Sequence, residues 1–176
     1  MAREPMSVDA HRREAPETVR CMVVTVSDTR TPETDKSGQL MMELLREHGY
    51  VVVDYRIVQD EYDRITRVVR EAVARDDVEA VLLNGGTGIA LRDTTYEAVR
   101  DLLDKEMPGF GEIFRQLSYE EIGAAAMLSR AIAGVCGETA VFSMPGSSGA
   151  VRLAMTRLIL PELRHVMREI YKDRHR

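Results

Sequence analysis

The stretch Cys21-Met22-Val23-Val24-Thr25-Val26, closed by Ser27-Asp28, decides the fold reading. It is a short apolar run rich in β-branched residues with no polar alternation, which predicts a strand buried on both faces. Such a strand belongs in the middle of a parallel sheet. Downstream, after a polar loop through Thr34 and Asp35, residues 37–48 place Leu40, Met41, Leu44 and Leu45 on one helical face, with Gly49 as C-cap. Residues 50–58 then read as a second strand. Ile65, Val68, Val69, Ala72 and Val73 form the apolar stripe of a helix over about residues 61–75, and residues 80–83 read as a third strand. Strand, helix, strand, helix, strand predicts an α/β fold on a parallel sheet.

Further out the pattern changes. Residues 1–19 carry Pro5, Pro16 and mixed charges with no apolar run, so a disordered or extended tail is expected before a single domain at 20–176. Thr94-Thr95-Tyr96-Glu97 matches a capping box, with Thr94 as N-cap and Glu97 reaching back, and predicts a helix to about Asp104. Residues 110–129 are helical in composition but interrupted by Gly111 and Gly123. Residues 131–135 and 139–144 suit strands linked by a turn at Gly137. Residues 148–171 carry a last apolar stripe in which Pro161 marks a kink or a break.

Composition excludes several function classes. A chain of 176 residues with 44% apolar and 30% charged residues has the make-up of a folded globular protein. No apolar run approaches the roughly 20 residues that span a bilayer, so a cytoplasmic protein with no membrane partner is expected. The net charge of −5 argues against nucleic acid as a partner. Cys21 and Cys136 stand far apart and read as small buried apolar groups in a reducing compartment, and the scattered histidines offer no zinc motif.

In an open parallel sheet ligands bind outside the carboxyl ends of the strands. Three loops should meet there: Ser27-Asp28 with the polar segment after it, Asn84-Gly85-Gly86-Thr87-Gly88, and Met144-Pro145-Gly146-Ser147-Ser148-Gly149. Adjacent glycines let backbone amides approach a phosphate, although the same run also suits a plain strand-to-helix turn. It lacks the GK[ST] ending of a Walker A loop and the GxGxxG spacing of a dinucleotide site, which disfavours P-loop kinases and dehydrogenases. Asp60 follows the second strand and Asp93 closes the glycine loop. The pair could share a Mg²⁺ ion, or each could simply favour a helix start.

The run Asn84-Gly-Gly-Thr-Gly-Ile-Ala-Leu-Arg-Asp-Thr-Thr-Tyr-Glu-Ala98 closely resembles the signature of the MoaB/MogA family of molybdenum cofactor proteins, related to gephyrin's G domain. Thr25-Val-Ser-Asp28, Asp35-Lys-Ser-Gly38, Gln59-Asp60-Glu61, Pro108-Gly109-Phe110, Leu128-Ser129-Arg130 and Met144-Pro145-Gly146 follow in the family's order, and Ser118-Tyr-Glu-Glu-Ile-Gly123 is more similar to the MoaB branch. The resemblance implies a three-layer α/β/α fold on a mainly parallel, Rossmann-like sheet, assembled as a trimer or hexamer. It implies binding of molybdopterin and, in active members, its adenylylation with Mg²⁺ and ATP; other members bind the pterin without chemistry, as a carrier or scaffold. Other cofactor-synthesis enzymes are the implied partners. By position, Asp60 and Asp93 take the catalytic and metal roles, and Gly85, Gly86, Thr87 and Gly88 hold phosphate. Ser27, Asp28 and Asn84 border the pocket, while Ser129, Arg130, Pro145, Gly146 and Ser147 line the pterin or phosphate side. After Gly146 this sequence departs from the family's frequent Ser-Pro or Thr-Lys continuation.

Overall fold

A computed structural model describes residues 16–174. Its sheet has six strands in the order β2-β1-β3-β6-β5-β4. These are β1 (Arg20–Val26), β2 (Val51–Val58), β3 (Ala80–Asn84), β4 (Lys105–Glu106), β5 (Ile132–Cys136) and β6 (Thr139–Met144). β2, β1, β3 and β6 run parallel, while β5 and β4 close one side antiparallel. The helices are α1 (Lys36–Glu47), α2 (Tyr62–Val73), α3 (Thr95–Leu102), α4 (Pro108–Ile122), α5 (Ser148–Ala154) and α6 (Leu160–Tyr171).

The alternation of β1 builds both layers. Cys21 and Val23 enter a core with Met41 and Leu45 of α1, Phe114 of α4 and Leu163 of α6. Met22, Val24 and Val26 enter the opposite core with Ile65, Val69 and Ala72 of α2 and Val99 of α3. Successive side chains leave a strand on opposite faces, so a continuously apolar strand requires helices on both sides. The result is the expected three-layer α/β/α arrangement.

Several local expectations are corrected. Thr94 is the N-cap of α3 but makes no capping bond, because its hydroxyl and Glu97 are both engaged elsewhere, and α3 stops at Leu102. Gly111 does not interrupt α4, which runs through it and ends at Gly123, where a 3₁₀ segment (Gly123–Leu128) takes over. Near Pro161 the irregularity lies before the proline: a π-helical turn, Met155–Ile159, joins α5 to α6, and Pro161, in the first turn of α6, has no N–H to donate back into that turn. The two-residue strand β4, exposed at both positions, has no sequence pattern that predicts it. The tail expected over 1–19 falls mostly outside the described residues, and its last part belongs to the fold, since Val19 is fully buried and accepts the Val51 amide. Cys21 is buried, Cys136 partly so, and both are free thiols. Among the described residues no helix is long and apolar enough to cross a membrane.

Candidate functional site

The chain leaves β1 toward β2 on one side and later fills β3 on the other, which makes the carboxyl ends of β1 and β3 the topological switch point. Thr25 of β1, Asn84 of β3 and Met144 of β6 stand level across the sheet. The loops that follow them therefore emerge side by side.

The β3 loop turns at once because Gly85 (φ 101°) and Gly86 (φ 65°) adopt left-handed backbone. A Cβ on Gly85 would lie 2.2 Å from the Val26 carbonyl oxygen, and one on Gly86 would lie 2.2 Å from Thr95 Oγ1 and 2.8 Å from Asp60 Oδ2. Glycine is required at both positions by conformation and by space. The Gly85 amide donates to the Met144 carbonyl (3.0 Å) and the Thr95 amide to the Gly86 carbonyl (3.1 Å), which tie this turn to the β6 loop and to the start of α3. Thr95 Oγ1 is buried with no hydrogen-bond partner.

The acidic residues converge on the same rim. Asp60 is buried, and the Thr94 amide (3.2 Å) and hydroxyl (3.1 Å) both donate to its Oδ1. Burial pushes its carboxyl above the ordinary carboxylate range, and the charges of Asp93 and Asp28 push the same way against the Thr94 donors. Asp93 closes the loop, its Oδ2 accepting the Ala90 amide at 3.0 Å and lying 2.5 Å from the Cβ that Gly88 lacks. Asp28 accepts a two-pronged contact from Arg92 (2.9 and 3.0 Å) and the Asp60 amide (3.0 Å). The Arg92 hydrogen bonds, with the Asp60 amide second, hold its carboxyl below the usual value. Ser27 Oγ accepts the Thr29 and Arg30 amides (3.2 and 3.0 Å) and shapes the start of this loop.

Asn84 is buried and donates to Thr25 Oγ1 at 2.9 Å, so it serves the rim from beneath. Pro145 and Gly146 continue β6 beside Gly85, where a Cβ on Gly146 would lie 3.1 Å from the Gly85 Cα, and Ser147 caps α5 by accepting the Ala150 amide (3.2 Å). Thr87 is buried within the turn. Ser129 and Arg130 stand behind it, lining a 300 Å³ cavity with Tyr96, Arg115 and Met127. Arg130 donates to the carbonyls of Gly88 (2.9 Å) and Asp93 (3.1 Å), pairs with Glu97 and lies 5.1 Å over the Tyr96 ring. Its guanidinium braces the glycine loop from behind. A larger cavity of 460 Å³ between β4 and α6, with Met107, Val135, Val166 and Ile170 in its wall, contains none of the expected site residues.

Asp60 and Asp93 offer hard oxygen donors, and both Thr94 bonds fall on Asp60 Oδ1, leaving Oδ2 toward the glycine turn. Among the described residues no group of three or more His, Cys, Asp or Glu side chains forms a metal cluster. A cation here would complete its shell with phosphate oxygens and water, a pattern that fits Mg²⁺. Sequence reading missed Arg30, Tyr55 and Thr95, which reach this rim through contacts 20 to 116 residues apart in sequence or, for Thr95, through the space beneath Gly86.

These features define an open, doubly wound α/β protein whose β1, β3 and β6 loops meet at the topological switch point. Residues 22–165 match the family model described as "Probable molybdopterin binding domain". Molybdenum cofactor biosynthesis protein B of Halalkalibacterium halodurans is 69% identical over 170 residues, covering 96% of this chain and 100% of that protein. A crystal structure of a molybdenum cofactor biosynthesis protein B superposes with a TM-score of 0.88 at 60% identity, covering 91% of this chain and 100% of that one. The tungsten cofactor synthesizing protein MoaB of Pyrococcus furiosus gives a TM-score of 0.80 at 38% identity, covering 89% and 99%. The chain belongs to the MoaB/MogA family of molybdenum cofactor biosynthesis proteins, as its glycine-loop signature implied.

Proposed function

We propose that this chain serves molybdenum cofactor biosynthesis by binding molybdopterin and ATP in the switch-point crevice and transferring AMP onto the pterin's terminal phosphate. The observation that carries the reading is the placement of two carboxylates against one glycine turn, with Asp60 Oδ2 2.8 Å from the Cβ position of Gly86 and Asp93 Oδ2 2.5 Å from that of Gly88. Family membership and the names of the relatives support the pathway.

In this reaction a terminal phosphate oxygen of molybdopterin attacks the α-phosphorus of ATP. The bond from that phosphorus to the bridging oxygen breaks, and pyrophosphate leaves with the electron pair. A phosphate monoester has its second pKa near about 6, so the attacking oxygen already carries charge at neutral pH and no general base is required. The protein's task is positioning and charge stabilisation. The Gly85–Gly88 backbone would hold phosphate, the Met144–Ser147 segment the pterin side, and Thr94 keeps Asp60 oriented. Mg²⁺ held by Asp60 and Asp93 would supply neutralisation of the crowded phosphate oxygens.

The test is pyrophosphate release from ATP by purified protein with molybdopterin and Mg²⁺. Release is expected, and Asp93→Ala should abolish it while keeping pterin affinity. Binding without release would identify a carrier, and unchanged release by Asp93→Ala would remove Asp93 from the chemistry. We further propose a trimer or hexamer. Ile113, Tyr119, Ile122, Met127 and Leu128, exposed on α4 and the 3₁₀ segment, support self-association, and light scattering showing only monomer at micromolar concentration would exclude it.

A further inference from the structure

Arg30 follows Ser27-Asp28-Thr29 in the β1 loop, and its side chain is about one-third exposed. Its guanidinium donates to Asn84 Oδ1 through Nη1 (3.3 Å) and to the Gly146 carbonyl through Nη2 (2.9 Å), so one planar group touches the loops after β1, β3 and β6. Ser37 Oγ donates to the same Gly146 carbonyl at 2.7 Å. Behind the guanidinium, Asp35 Oδ1 lies 3.6 Å from Nη1.

Asp35 is fully buried. Its Oδ1 accepts the Gly38 amide at 3.0 Å, and the Tyr55 hydroxyl donates to Oδ2. Gly38 leaves room for this carboxylate, since a Cβ there would lie 2.2 Å from Oδ2. A buried carboxylate persists only with charge and hydrogen-bond compensation. Arg30 supplies the opposite charge, and burial beside Asp35 pushes the Tyr55 hydroxyl above its ordinary pKa, which keeps it a donor. Tyr55 lies on edge strand β2, so the chain of contacts Tyr55, Asp35, Arg30, Asn84 and Gly146 spans the sheet from its edge to β6.

We propose that Arg30, fixed by the Asp35–Tyr55 pair, is the positioning residue that holds the three crevice loops in register for the ligand. Its functional consequence rests on the molybdopterin-binding reading; its structural consequence does not. The guanidinium fork matters because it meets a side-chain carbonyl, a backbone carbonyl and a carboxylate at once, which an ammonium cannot reproduce.

The experiment uses the full chain. In Arg30→Ala without ligand, the Gly85 amide, which bonds across to the Met144 carbonyl, and the Thr95 amide, which bonds to the Gly86 carbonyl of the glycine turn, should exchange with solvent at least about tenfold faster, the equivalent of one lost charge-assisted hydrogen bond. The amides of Val23 and Leu82 in the sheet should keep their protection. Millimolar guanidinium should restore the loop amides, Arg30→Lys should not, and Tyr55→Phe should loosen the same amides to a smaller degree. Unchanged loop exchange in Arg30→Ala, or equal loss of protection in loop and sheet, would overturn the proposal. Molybdopterin titration of wild type and Arg30→Ala should show at least about tenfold weaker binding by the variant. Equal affinity would defeat the functional consequence. A wild type that binds no pterin would defeat the proposed function instead, while the exchange measurement would still decide the role of Arg30 in the loops.

Discussion

Replacing Gly86 by alanine attacks the turn on two fronts that can be separated. Its φ of 65° is left-handed, a conformation that costs a non-glycine residue about 1–2 kcal/mol. The new Cβ would also lie 2.2 Å from Thr95 Oγ1, 2.8 Å from Asp60 Oδ2 and 3.1 Å from Asp60 Cγ. Thr95 and Asp60 are both buried and cannot swing aside into solvent, so overpacking adds about 1–3 kcal/mol. The sum, about 2–5 kcal/mol, should appear as a lower urea midpoint with unchanged slope. Adding Thr95→Ala removes the nearest obstructing atom. Because Thr95 Oγ1 has no hydrogen-bond partner to lose, the pair should couple favourably by about 1–2 kcal/mol, leaving the backbone strain behind. A loss below about 1 kcal/mol for Gly86→Ala, or additivity of the two changes within about 0.5 kcal/mol, would refute the reasoning.

Glu97 provides a pH-dependent prediction. The Arg130 hydrogen bonds hold its folded pKa below the ordinary value of 4.5, so its contribution is fully present above that value and is lost as pH falls through the lower folded one. Acid titration of stability should therefore be shallower in Glu97→Gln below about pH 4.5, and identical slopes would exclude the pairing. Arg130→Met leaves the Gly88 and Asp93 carbonyls without their donor and should cost about 1.5–3 kcal/mol in urea unfolding, with Arg130→Lys recovering only part. Under the proposed function, ATP affinity should fall sharply when a chelator replaces Mg²⁺, and equal calorimetric affinity in both conditions would contradict a cation-bridged site.

The parallel half of the fold was legible because its signals are local. Cys21–Val26 is apolar at every step but Thr25, and the stripes of α1 and α2 recur at helical spacing, so burial could be assigned residue by residue. What escaped depends on distant partners. β4 is only Lys105–Glu106, exposed and paired to β5, and carries no strand pattern of its own. Thr94 and Glu97 have capping-box spacing, yet Asp60 and Arg130, 34 and 33 residues away, compete for their side chains and win. The same holds at the rim. The glycine turn and the two aspartates could be read from one stretch each, whereas Arg30 matters through Asn84 and Gly146, and Tyr55 through Asp35, pairings that exist only once the sheet is assembled.

The rim also explains why a glycine turn alone would make a poor phosphate site here. Asp28, Asp60 and Asp93 crowd one edge, and the charges of Asp28 and Asp93 already disfavour ionisation of Asp60. Each has its own donors: Arg92 and the Asp60 amide for Asp28, Thr94 for Asp60, and the Ala90 amide for Asp93. The N-terminal amide of Thr94 thus serves a carboxylate of the protein itself. Two like charges about 4 Å apart repel by roughly 4 kcal/mol at an effective dielectric of 20, so a bare phosphate would meet repulsion that backbone amides alone must overcome. A divalent cation reverses the sign of that interaction, because each carboxylate then attracts what the phosphate also attracts. On the proposed reading, the acids are therefore what makes anion binding at this edge conditional on the metal, and the glycines supply the space in which the two can meet.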